Sequence, residues 1–112
     1  GYSTTNNAFT ENVWHYCVIT YAGGGTTSAN VKLYIDASDA GFTTQFGSDN
    51  QTLTTTNNNI RIGMRHGSHT TMDFVGQVGP VQMYNRVLTD AEVLQNYDAL
   101  KGRFIRWFNM ES

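Results

Sequence analysis

The chain has a single cysteine, Cys17, and a single proline, Pro80, among 112 residues. One cysteine excludes an internal disulfide, and its place in an apolar run predicts a small buried hydrophobe rather than a reactive thiol. Charge is scarce too: charged residues make up 14% of the chain and the net charge is -2. Acidic and basic side chains are scattered, so no basic field exists to hold nucleic acid and no polybasic segment to hold an anionic membrane. No apolar run approaches the roughly 18 residues of a spanning helix, and the N-terminus lacks a charged-then-apolar signal pattern. Neither nucleic acid nor membrane is an expected partner.

Threonine, asparagine, glycine and aromatic residues are plentiful instead, the balance of many short strands joined by polar turns. The expected fold class is therefore an all-β antiparallel sandwich. A chain of this size makes one domain and buries only about two thirds of the surface its unfolded form exposes, which leaves a thin stability margin. Val31, Leu33 and Ile35 alternate with Lys32, Tyr34 and Asp36, while Ile60, Ile62 and Met64 alternate with Arg61, Gly63 and Arg65. Each run predicts a strand with one buried face. Residues 13–21 differ, because Trp14, Tyr16 and Val18 fall on one face while His15, Cys17, Ile19 and Tyr21 fall on the other. That strand is expected to be covered on both sides, with Trp14 in the core. Phe74, Gly76 and Val78 share a phase that Val81 and Met83 leave, so Gly79-Pro80 marks a bulge or bend.

Thr89-Asp90-Ala91-Glu92 fits a capping box, in which the Thr89 hydroxyl serves a free amide of the first turn and the Glu92 carboxylate reaches back to Thr89. Leu88 and Val93 can clasp this start as a hydrophobic staple. Val93, Leu94, Tyr97 and Leu100 repeat at helical spacing, and Lys101-Gly102 supplies the cation and the left-handed residue that favour a stop. The spacing predicts one short helix over residues 89–101.

Trp14-His15-Tyr16-Cys17-Val18-Ile19-Thr20-Tyr21, Val31-Lys32-Leu33-Tyr34-Ile35-Asp36, Ile60-Arg61-Ile62-Gly63, Phe74-Val75-Gly76-Gln77-Val78 and Met83-Tyr84-Asn85-Arg86-Val87-Leu88-Thr89-Asp90-Ala91-Glu92-Val93 follow in order. Together they resemble the laminin-G-like branch of the concanavalin-A-like lectin/glucanase superfamily, and the tyrosine-asparagine-arginine turn running into a capped helix is the most specific block. The resemblance implies an antiparallel jelly-roll β-sandwich, a binding or adhesion module, in some members with calcium and sugar at one edge. The blocks match the C-terminal part of that domain, so its N-terminal strands are expected to be missing from residues 1–104. A family glycine stands where this chain has Ala37, and an acidic residue where it has Gly79. Residues 105–112 extend past the family's usual end and form a tail, with Phe104, Trp107 and Phe108 as aromatic anchors for a protein partner. The endings of laminin-G-like domains in tailed-phage structural proteins look like residues 86–104. The resemblance therefore implies a virion surface, with a secreted or cell-surface setting as the alternative, and a homo-oligomer or a virion shell or tail as the partner.

A glycoside hydrolase would need two carboxylates on one strand face, two or four residues apart, to flank the scissile bond. No strand here carries them, so no catalytic residue is assigned. Asp90 and Glu92 have that spacing but open a helix, where negative charge complements the dipole. Asp36, Asp39 and Asp73 sit at strand ends and turns, where aspartate makes turn hydrogen bonds; they would hold calcium only if their loops shared one edge. His66 and His69 lie in a loop without a third ligand in reach, and His15 reads as a strand residue with a satisfied ring. Sugar binding uses an aromatic face beside amides and hydroxyls, which points to Trp107, Tyr34 or Tyr84 near Asn57, Asn58 and Asn59. Two functions follow: a non-enzymatic lectin-like adhesion or decoration module, or a structural subunit that binds protein through its sheet edge and tail.

Overall fold

Among the described residues, five strands and one helix follow in chain order: β1 Tyr2–Ser3, β2 Cys17–Tyr21, β3 Val31–Ile35, β4 Ser38–Asp39, β5 Thr44–Gln45 and α1 Asp90–Glu111. The computed structural model describes residues 2–3, 9–24, 30–41, 44–45, 60–64 and 73–111, with side chains for 9–24, 30–41, 60–64 and 73–104. Gly1–Leu53 with Tyr84–Ser112 make one unit and Thr54–Met83 a second.

In the first unit β2, β3 and β4 form an antiparallel sheet in that order, and β1 pairs antiparallel with β5. The β2–β3 register sets Val18 opposite Tyr34, Ile19 opposite Leu33 and Thr20 opposite Lys32. Asp36 and Ala37 make the two-residue turn into β4, with φ of 52° and 65°. Such turns match strand twist only when both central residues are left-handed. Aspartate tolerates that conformation, whereas the β-carbon of Ala37 carries a penalty of about 1 kcal/mol that glycine would avoid.

Alternation alone chose the wrong face of β3. Val31 is buried as expected, but Leu33 and Ile35 are only half-buried, and Tyr34 from the opposite phase is 3% exposed. The cause is the helix start: Leu88 and the fully buried Val93 pack against Tyr34, with Tyr16, Val18 and Ala37 around them. Residues 13–21 are covered unevenly on the face away from the helix, where His15 and Tyr21 are half-buried. Ile19, on the face away from the helix, is 72% exposed, and Cys17 on that face is exposed rather than buried. The thiol itself is partly shielded, and this desolvation, followed by the Asp36 charge, raises its pKa. Trp14 precedes the strand and is half-buried against Phe104, with ring centroids 4.7 Å apart.

The helix begins as the sequence dictates but ends later. Glu92 N donates to Thr89 Oγ1 at 3.2 Å and Thr89 N donates to Glu92 Oε2 at 2.9 Å, the reciprocal capping pair. Lys101-Gly102 does not stop it, and α1 continues to Glu111. One interior glycine costs only about 1 kcal/mol relative to alanine, no proline follows, and the next turn sets Phe104 against Trp14. Residues 105–111 therefore continue a 22-residue helix instead of leaving it as a separate tail. Leu94 is 49% exposed and lies off the packed stripe.

In the second unit, residues 60–64 and 73–83 form no strand, contrary to their period-two pattern. Gly63 takes φ of 77°, and its carbonyl accepts from Phe74 N at 2.7 Å. Alternation specifies a strand only where a layer covers one face; Ile60 is 71%, Ile62 54% and Val75 95% exposed.

Candidate functional site

Asn96 is a polar residue inside the apolar arc of α1, three positions after Val93 and four before Leu100. Its Nδ2 donates to Tyr84 Oη at 3.3 Å, and its amide works to lower the Tyr16 pKa. The Tyr16 and Tyr97 rings lie 6.1 Å apart, tilted by 34°. Three tyrosines thus gather around one amide at the junction of the Tyr84-Asn85-Arg86 turn, the helix and the approach to β2. Burial raises the Tyr16 pKa above its ordinary value while the Asn96 amide partly offsets it, so the phenol stays a neutral donor and acceptor. Tyr84 is 48% exposed and presents this group to solvent.

Both cations beside the cluster are already paired. Arg86 forks onto Glu92 with contacts of 2.8 and 2.9 Å, and Lys101 Nζ lies 2.6 Å from Asp98 Oδ1 and 5.2 Å from the Tyr97 ring centre. Each cation at the platform therefore has a carboxylate partner. Aromatic faces with a convergent amide and hydroxyls are the groups that take the C–H face and the hydroxyls of an uncharged polyol ring.

The Arg86 fork, reinforced by the Thr89 amide, holds the Glu92 carboxyl down to about 2 from 4.5. A carboxylate with a depressed folded pKa contributes stability that is complete above its unfolded value and disappears as pH falls through the folded one. Cooperative unfolding followed by circular dichroism should show stability declining between pH 4.5 and about 2. Glu92→Gln should start lower at neutral pH and converge with the wild type at the acid end; parallel curves would refute this role.

Asp90, the other helix-opening carboxylate, is equally committed. Tyr34 Oη donates to its Oδ1 at 2.5 Å and Lys32 Nζ lies 3.5 Å away. The tyrosine bond, then the lysine charge, lower the Asp90 pKa. The Tyr34 ring is buried while its hydroxyl reaches the rim where Asp90 stands, and burial followed by the Asp90 bond raises its own pKa.

The acidic residues considered for calcium are occupied too. Asp36 Oδ2 lies 2.7 Å from His15 Nδ1, and Asp36 Oδ1 accepts from Tyr16 N at 2.9 Å. Thr10 N lies 3.0 Å from His15 Nε2, so both ring nitrogens have partners, as expected for this histidine. Asp39 Oδ1 accepts from Gly41 N at 2.9 Å, and Asp73 is exposed in the second unit. Among the described residues no three metal-ligating side chains converge, and the engaged Asp36 and Asp39 do not fit a calcium ion.

Of the sugar-site residues expected from sequence, the structure joins Tyr84 to Asn96; Asn57, Asn58 and Asn59 lie outside the described residues, as do the side chains of Trp107 and Phe108. Phe104, expected to dock a partner, packs on Trp14 within the chain. Sequence reading missed Asn96, Tyr16 and Tyr97 as members of the site. The available signal was the amide within the apolar arc, since such a residue demands a polar partner.

A family model described as the concanavalin A-like lectin/glucanases superfamily matches residues 2–94. No curated protein matches the chain. Among solved structures, an S-layer domain-containing protein from Clostridium thermocellum ATCC 27405 is similar, with a TM-score of 0.57 and 20% identity over 82% of this chain. The likeness spans 42% of that protein's solved length.

Proposed function

The chain belongs to the concanavalin A-like lectin/glucanase superfamily, and from that premise we propose a non-enzymatic, lectin-like adhesion module on the surface of a larger assembly. Its full architecture in this reading is the jelly-roll sandwich of the superfamily. The observation that carries the reading is the half-exposed Tyr84 bonded to Asn96 at the centre of a tyrosine cluster with internally paired charges. A neutral glycan is the matching ligand class. The similar solved structure is named for a surface layer, and the likeness of residues 86–104 to phage structural proteins favours a virion; both settings put the module on an exterior.

A glycan array probed with labelled protein tests this directly. Wild type should bind neutral oligosaccharides, Tyr84→Ala should lose affinity by roughly tenfold or more, and Tyr84→Phe should retain most of it, since the ring supplies the larger part of the contact. Equal binding by wild type and Tyr84→Ala would sink the site, and release of reducing sugar from a polysaccharide would overturn the non-enzymatic reading. The second reading, a structural subunit that binds protein, is favoured by Ile19, an apolar side chain of β2 that is 72% exposed.

A further inference from the structure

Two successive side-chain rungs tie the Tyr84-Asn85-Arg86 turn to α1. Tyr84 Oη accepts from Asn96 Nδ2 at 3.3 Å, and four helix positions earlier both terminal nitrogens of Arg86 donate to the Glu92 carboxylate, at 2.8 and 2.9 Å. Helix positions four apart are surface neighbours with Cβ atoms about 5–6 Å apart. The guanidinium therefore stands one rung from the tyrosine hydroxyl, within the span of a single sugar ring and its substituents. The Arg86 side chain is 56% exposed, and Tyr84 is exposed beside it.

A guanidinium beside an aromatic hydroxyl is the group that grips the carboxylate of an acidic sugar, through two parallel N–H···O bonds. Here the chain's own carboxylate fills that grip. Glu92 takes both terminal nitrogens of Arg86, and its Oε2 also accepts the Thr89 amide at 2.9 Å. A glycan carboxylate reaches the same geometry only by displacing a like group that is tethered to the same chain, and tethering gives the incumbent the higher effective concentration. The neighbouring helix carboxylates are engaged elsewhere, Asp90 by Tyr34 and Lys32 and Asp98 by Lys101. The cap does not need the Glu92 charge, since glutamine at this third helical position closes the capping box as glutamate does.

We infer that Glu92 sets the ligand selectivity of the Tyr84 site: by clamping Arg86 it reserves the site for neutral glycans and denies a carboxylate-bearing sugar, a sialic or uronic acid, the contact that would reward its charge. This role rests on the Tyr84 glycan reading and adds the residue that decides between sugar classes. Removing the Glu92 charge leaves the cap in place and turns Arg86 outward to ligand as an unpaired cation.

An array of matched oligosaccharides, each neutral core printed with and without a sialic or uronic acid, tests this at low and at high salt. Wild type should bind the neutral members and show no preference for their acidic counterparts. Glu92→Gln should raise the acidic-to-neutral ratio by roughly tenfold, the worth of one charge-assisted contact, and salt should erode that gain. Glu92→Gln combined with Arg86→Gln keeps the capping glutamine and should lose the gain. The helical circular dichroism signal checks the fold of both variants, while the wild-type ratio needs no variant at all. A wild type that already prefers acidic members, an unchanged ratio in Glu92→Gln, or a gain that survives in the double variant would overturn the inference and leave the Tyr84 reading standing. Binding of neither class by wild type would overturn both.

Discussion

Leu88→Ala should lower the unfolding free energy by about 2–4 kcal/mol, read as a shift in the urea midpoint at constant slope. Leu88 is 5% exposed and closes the cluster formed with Tyr34 and Val93, so truncation removes buried methyl groups and leaves a cavity between sheet and helix. The same residue is the outer half of the hydrophobic staple, and its loss also loosens the angle at which the chain enters α1. A domain of this size has a total margin of only about 5–15 kcal/mol, so the substitution takes a large share of it. Val87→Ala is the control, because Val87 is 42% exposed one position earlier. Equal effects from the two would mean that the helix start is not packed on Tyr34.

Asp36→Ala should cost about 2 kcal/mol, with Asp36→Asn costing less than half as much. The carboxylate joins three things at once: it bonds the Tyr16 amide, it holds His15 through Nδ1, and it sits in the left-handed turn between β3 and β4. Alanine leaves the Tyr16 N–H without its acceptor and His15 Nδ1 without its partner, and puts a second alanine into a left-handed conformation. Asparagine tolerates that conformation and keeps one carbonyl oxygen for the Tyr16 amide. Amide exchange at Tyr16, measured by NMR, reports the bond directly. It should rise in the alanine variant and stay near the wild-type rate in the asparagine variant; indistinguishable rates would show that the clamp does not hold β2.

The capped start of α1, the staple, the satisfied His15 ring and the antiparallel strands at Cys17–Tyr21 and Val31–Ile35 were all readable from the chain. Each depends on residues within a few positions or on a local period. The site was half legible: Tyr84 stood out as an aromatic near polar residues, but its partner Asn96 lies 12 positions away and joins it only when the helix folds back. The helix end failed for the opposite reason. Lys101-Gly102 is a valid local stop signal, overridden by the contact between Phe104 and Trp14, residues 90 positions apart.

Sequence by itself determined the charge-poor, turn-rich β character of this protein, its superfamily and the chemistry that begins its helix, because composition, residue order and caps act over short range. Tertiary structure alone decided which face of β3 is core, since both faces carry apolar side chains and only the arrival of Leu88 and Val93 buries Tyr34 in preference to Leu33 and Ile35. It also decided which backbone groups of β2 face β3, because ladder phase is a property of two paired strands and cannot be written into one.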